Sequence, residues 1–139
     1  MQNNIKILIV DDEKITLKNL VHVMEKEGYE VVGTLTGPNA LKILEEQEFD
    51  VVLADLKMEK VDGIQILKRC KELYPDTEVI MITGYATVEA IGSAMKNGAF
   101  YCIAKPFELD EIRKVAKEAI EMVRLKKECV QLRECIEKG

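Results

Sequence analysis

Four places in the chain set a reactive side chain directly after, or at the end of, an apolar run: Asp11-Asp12 after Ile5–Val10, Asp55 after Val51–Ala54, Thr83 closing Thr77–Thr83, and Lys105 after Ala99–Ala104. In open parallel sheets ligands bind beyond the carboxyl ends of the strands. If these runs are strands of one such sheet, their acids, hydroxyl and ammonium converge. Clustered carboxylates repel one another unless a cation sits between them, and an all-oxygen set with few protein ligands suits Mg²⁺, which keeps several of its waters. Such a site can hold a phosphoryl group on a carboxylate, with the metal and the lysine neutralising phosphate oxygens and the hydroxyl donating to another.

The elements that must position these groups are read from periodicity. Val51-Val52-Leu53-Ala54-Asp55 is apolar on both faces, as a central strand of a parallel sheet covered by helices on both sides would be. Ile5–Val10, Tyr29–Leu35, Thr77–Thr83 and Ala99–Ala104 supply four further strands. Between them, Leu17, Leu20, Val21 and Met24 repeat at helical spacing up to Glu27-Gly28, and Gly37-Pro38-Asn39 opens a helix with Ala40, Leu41, Ile43 and Leu44. Ile64, Ile66, Leu67 and Leu73 mark a third helix, ended by Pro75-Asp76, and a fourth runs from about Thr87 to Lys96, stopped by Asn97-Gly98. This alternation predicts a doubly wound α/β fold with right-handed crossovers.

A fifth helix, Leu109 to Glu137, is about 43 Å long at about 1.5 Å per residue, against a radius of gyration of roughly 13 Å for a domain of this size. Part of it must project. Leu109, Ile112, Ala116, Ile120 and Val123 form one apolar stripe, and Met122, Leu125, Cys129, Leu132 and Ile136 form a second at the alternating three-and-four spacing of a coiled-coil seam. The bases Arg124, Lys126, Lys127 and Arg133, set among Glu121, Glu128 and Glu134, read as its solvated flank.

Composition narrows the function. At 139 residues, 47% apolar and 32% charged, the chain is one globular domain of ordinary size. Its net charge of −5 argues against direct binding of nucleic acid, which needs a basic surface. No apolar run has the length of a membrane span, and Met1–Asn4 leads into the first strand without a signal pattern, so the cytoplasm is the expected compartment. Cys70, Cys102, Cys129 and Cys135 show no metal-site spacing, and His22 reads as a solvated surface residue.

Asp11-Asp12, Asp55, Asp62-Gly63, Thr83-Gly84 and Lys105-Pro106-Phe107, in this order and spacing, resemble the receiver domains of bacterial two-component response regulators over residues 5 to about 120. Thr83–Ala90 and Ala94–Ala99 are similar, more narrowly, to receivers of the NtrC type, which control sigma-54-dependent activators. The resemblance implies a flavodoxin-like five-stranded sheet of order 2-1-3-4-5. It implies Asp55 as phosphoacceptor from a sensor histidine kinase, Asp12 and Asp55 as Mg²⁺ ligands with the Lys57 backbone carbonyl, and Asp11 holding metal-bound water. Thr83 becomes the switch hydroxyl and Lys105 the phosphate-pairing ammonium, with a cis bond before Pro106. Such a chain regulates an output, here transcription activation, rather than turning over a substrate, although it catalyses its own phosphorylation and dephosphorylation. Residues 1–122 would be the receiver and 123–139 a projecting linker helix that pairs two copies. A free-standing receiver acting by protein binding is the alternative.

The sequence departs from the family at two points. The aromatic usually found three residues before the lysine is Cys102, with Tyr101 pointing to the other side of the strand. Glu59 replaces a common proline, which should loosen the loop after Asp55. Tyr85 and Lys57 should flank an acyl phosphate and impede an in-line water. Two rival chemistries fit less well. A haloacid-dehalogenase-type phosphohydrolase needs a second Asp two residues after the nucleophile, where this chain has Lys57, and an FMN carrier needs a Ser/Thr/Gly-rich loop where this chain has Asp11-Asp12.

Overall fold

Strands and helices alternate from end to end: β1 (Lys6–Val10), α1 (Lys14–Lys26), β2 (Glu30–Thr34), α2 (Gly37–Glu46), β3 (Val51–Asp55), α3 (Gly63–Leu73), β4 (Glu78–Thr83), α4 (Val88–Lys96), β5 (Tyr101–Ala104) and α5 (Leu109–Lys138). The computed structural model describes residues 5–58, 60–84 and 87–138, with side chains at 131 and 133–138 outside the description. Met1–Asn4, Glu59, Tyr85 and the seam side chain of Ile136 therefore lie outside the described residues.

The five strands pair in the order β2-β1-β3-β4-β5, all parallel. The predicted order holds, and β3 is buried at all five positions while the edge strand β2 is buried only at Thr34. Alternate side chains feed two cores. On one face Ile7, Ile9, Leu53, Ile80 and Ile103 pack against Leu20 and Met24 of α1 and Ile112, Ala116 and Ala119 of α5. On the other, Leu8, Val10, Val52, Ala54, Val79 and Met81 pack against Leu44 of α2, Ile66 and Leu67 of α3 and Ala94 of α4. Burial of this size, at about 25 cal/mol per Å² of apolar surface, fixes the register, because a one-residue slip would exchange the two faces.

Local chemistry sets the ends. Asp62 and Gln65 form a reciprocal capping box at the start of α3, with Gln65 N donating to Asp62 Oδ1 at 3.0 Å and Asp62 N donating to Gln65 Oε1 at 3.0 Å. Thr87 Oγ1 accepts from Ala90 N at 3.1 Å to open α4. Gly28 (φ +94°) and Gly98 (φ +101°) follow α1 and α4 in the left-handed region that favours glycine.

Helix α5 buries Ile112, Val115, Ala116, Ala119, Ile120 and Val123. Leu109, expected on this stripe, is instead 39% exposed. The apolar grip ends at Val123, but charge extends it: Lys126 Nζ lies 2.7 Å from the buried Glu78 at the foot of β4, and Lys127 Nζ lies 3.3 Å from Asp50 at the foot of β3. The helix thus leaves the sheet with its direction fixed by both. Among the described residues no helix is long and apolar enough to cross a membrane.

Candidate functional site

The parallel register brings four strand ends together. Val10 lies opposite Ala54, Asp55 opposite Ile82, and Thr83 opposite Ala104, so Asp11, Asp55, Thr83 and Lys105 emerge at one edge of the sheet. Main-chain bonds lock the ends: Asp11 N donates to Thr34 O (3.2 Å), Leu56 N to Ile82 O (2.8 Å) and Lys105 N to Thr83 O (2.7 Å). The Lys105-Pro106 peptide is cis.

Asp11, Asp12 and Asp55 each offer a carboxylate oxygen, all within 4.8 Å of one another. Asp11 and Asp55 are buried and Asp12 is exposed. Asp11 Oδ1 accepts from Glu13 N (2.9 Å) and Asp55 Oδ1 from Lys57 N (3.1 Å), which turns both Oδ2 atoms toward Lys105. Lys105 Nζ lies 3.0 Å from Asp55 Oδ2 and 3.1 Å from Asp11 Oδ2. Thr83 is buried at the end of the neighbouring strand. Asp11, Asp12, Asp55, Thr83 and Lys105 are thus placed at this edge, Lys57 follows Asp55 with its amide already engaged, and Tyr85 lies outside the described residues.

The electrostatics follow from crowding acids around one base. Burial raises the pKa of Asp11 above the ordinary carboxylate range, opposed by the Glu13 amide and by Lys105. Burial works against the Lys105 ammonium too, but Glu13, Asp55 and Asp11 outweigh it and hold its pKa above the usual lysine value. Lys105 is charged throughout the physiological range. The cluster still carries more negative than positive charge, and Asp11 Oδ2 is buried without an aligned hydrogen-bond donor among the described residues, since the nearby ammonium is in ion-pair reach but off the hydrogen-bond direction. An under-satisfied buried oxygen beside two further carboxylates fits a hard divalent cation with oxygen ligands.

This has a thermodynamic consequence. Folded Asp11 binds its proton more tightly than unfolded Asp11 does, so its contribution to stability falls as pH rises from the ordinary aspartate range through the raised value. At neutral pH it works against folding. Asp11→Asn is therefore expected to raise Tm in EDTA by on the order of a few °C, and to abolish most of the Tm increase that millimolar Mg²⁺ gives the wild-type chain. Thermal scans with and without Mg²⁺ check both; a destabilised Asp11→Asn chain in EDTA would contradict the reading.

Glu13 is the functional residue that sequence reasoning missed. Its Oε1 lies 2.7 Å from Lys105 Nζ, and this contact lowers the pKa of Glu13. The available signal was a third consecutive acid, Asp11-Asp12-Glu13. At the other end of the site, Tyr101 is 46% exposed, whereas Cys102 is half-buried against the Met81 and Ala94 side of the sheet. The place expected for an inward-turning ring holds a thiol. Glu59 lies outside the described residues; beside it Lys60 adopts φ +68°, an uncommon conformation for a side chain with a Cβ.

The chain's likeness to known proteins agrees with this geometry. A family model described as the response regulator receiver domain matches residues 7–117. Sporulation initiation phosphotransferase F of Bacillus subtilis (strain 168) is 41% identical over 115 residues, covering 83% of this chain and 93% of that protein. Regulatory protein AtoC of Escherichia coli (strain K12) is 36% identical over 131 residues, covering 94% of this chain but 28% of that protein. The crystal structure of a CheY-like response regulator receiver domain protein from Methanospirillum hungatei JF-1 superposes with a TM-score of 0.86 at 31% identity, covering 89% of this chain and 99% of that one.

Proposed function

Because this chain belongs to the response regulator receiver domain family, and is NtrC-like within it, we propose that it accepts a phosphoryl group on Asp55 from a sensor histidine kinase and regulates an output by the conformational change that follows. The observation that carries this reading is the Lys105 ammonium set 3.0 Å from Asp55 Oδ2 beside the under-satisfied Asp11 Oδ2. An Asp55 oxygen attacks phosphorus, the P–N bond to the kinase histidine breaks, and the leaving imidazole takes a proton. Lys105 pairs with the oxygens that gain charge, and the Thr83 hydroxyl is the switch donor. Asp11, Asp12, Asp55 and the Lys57 carbonyl would hold Mg²⁺, which supplies further charge neutralisation when bound. The chain is not a turnover enzyme, acts in the cytoplasm, and does not itself bind nucleic acid. Hydroxylamine-labile phosphate after incubation with phosphoramidate and Mg²⁺ tests this; a chain that stays unlabelled contradicts it.

Two output forms are supported by different relatives. The chain spans 28% of AtoC, as the front part of a longer transcription activator would, and 93% of sporulation initiation phosphotransferase F, as a free-standing receiver would. Helix α5 favours the first. Met122, just before Val123, and Leu125 and Leu132 beyond it are 39%, 50% and 65% exposed, and Cys129 is exposed beside them, which leaves the described positions of the coiled-coil seam without a partner among the described residues. The occupant proposed is the same seam of a second copy. Two heptads are short for independent stability, so the receiver faces contribute and phosphorylation can tune the pairing. Mild oxidation is expected to crosslink Cys129 across the dimer, ahead of Cys135, whose side chain lies outside the described residues. Cys70 will not compete, since burial pushes its thiol up to about 12. A monomer in sedimentation at tens of micromolar, phosphorylated or not, would remove the dimer.

A further inference from the structure

Glu13 stands at the N-cap position of α1 yet its side chain makes no cap hydrogen bond. Its Oε1 instead accepts from Lys105 Nζ at 2.7 Å and from Thr16 Oγ1 at 3.4 Å. Among the described residues the Lys105 contact is the shortest of three ion pairs at this ammonium, the others being 3.0 Å to Asp55 and 3.1 Å to Asp11. Of the three N–H donors of an ammonium, one goes to Glu13 and one to Asp55, and Asp11 Oδ2 lies within ion-pair reach, so three carboxylates share one cation. A phosphoryl group arriving on Asp55 needs at least one of those donors. Asp11 is buried and tied to the Glu13 amide, so it cannot withdraw. Glu13 has a side chain 62% exposed on a flexible stem, so it can.

We infer that Glu13 is a positioning residue that holds the Lys105 ammonium at the solvent side of the site and must release it when Asp55 is phosphorylated. The inference rests on the phosphoacceptor reading and deepens it. Glu13 competes with the phosphoryl group for one cation, so breaking the Glu13–Lys105 contact is part of what phosphorylation costs. Removing the carboxylate lowers that cost, and it does so only through Lys105.

A double-mutant cycle isolates that pairwise effect. Affinity for beryllofluoride, a phosphoryl mimic, is measured by fluorine NMR in saturating Mg²⁺ for the wild-type chain, Glu13→Gln, Lys105→Ala and the double variant. Glu13→Gln is expected to tighten beryllofluoride binding by about threefold, the scale of an exposed charge pair, and to change nothing in the Lys105→Ala background. An equal gain in both backgrounds would mean that Glu13 acts only through its general field, and no gain in either would mean that it does not hold Lys105; each overturns the inference. A wild-type chain that binds no beryllofluoride would overturn the phosphoacceptor reading itself.

Discussion

A chain carrying Asp55→Asn is expected to take up no phosphoryl group from phosphoramidate or acetyl phosphate, while keeping its fold. Asp55 is buried at the end of a strand that is buried throughout, so its side chain has one direction in which to point. An amide oxygen at Oδ1 can still accept from Lys57 N, now at 3.1 Å, so the local backbone is retained. What disappears is the nucleophilic oxygen and the charge facing Lys105 at 3.0 Å. Asp11 cannot substitute, because its Oδ1 is committed to the Glu13 amide and its raised pKa reflects a buried, weakly solvated group. Loss of labelling should be complete, with the circular dichroism spectrum unchanged. Full labelling of Asp55→Asn would place the chemistry elsewhere.

The second large effect is expected of Gly63→Ala, and it concerns stability as well as the site. A Cβ at Gly63 would stand 2.5 Å from the Asp55 carbonyl oxygen, 2.5 Å from Met81 Cε and 2.8 Å from Leu56 Cα. The methionine end can move, but the two backbone atoms belong to the end of β3 and the residue after it. They are held by Leu56 N donating to Ile82 O and by Gly63 N donating to Leu56 O. One methyl group therefore has to push α3 off the sheet or shift the end of β3, a cost of about 1–3 kcal/mol by analogy with overpacked cores. Tm should fall by on the order of 10 °C, and phosphorylation should slow because Asp55 is carried on the displaced backbone. An unchanged denaturation midpoint would show that the start of α3 has room that these distances deny.

Much of this is legible in the sequence, for a physical reason: each strand of the site is an apolar run that stops at the reactive residue. Val51–Asp55 shows both its depth and its chemistry in five letters, since a strand buried on both faces has no alternation to lose. The order of the strands was legible only through the resemblance carried by Asp11-Asp12, Asp55, Thr83 and Lys105, because periodicity fixes elements and not their neighbours. Glu13 escaped because an acid just ahead of a helix reads as a partner for the helix dipole, and its real partner, Lys105, is on the far strand of the site. The ion pair between Lys126 and Glu78 escaped likewise, since a lysine on a charged helix flank reads as solvated until the foot of β4 is placed beside it. For Asp62-Gly63 the motif was visible but its cause was not. The glycine is required by three atoms of β3, β4 and the loop between β3 and α3, brought together only in the fold.

Whether Asp55 carries the phosphoryl group within the Asp11, Asp12 and Lys105 cluster is decided by locating the bond. The wild-type chain is incubated with phosphoramidate and Mg²⁺ and reduced with borohydride, which converts an aspartyl phosphate to homoserine, and its peptides are then mapped by mass. Homoserine is expected at position 55 alone, and none when EDTA replaces Mg²⁺. Homoserine at another aspartate, or at position 55 regardless of EDTA, would contradict this assignment.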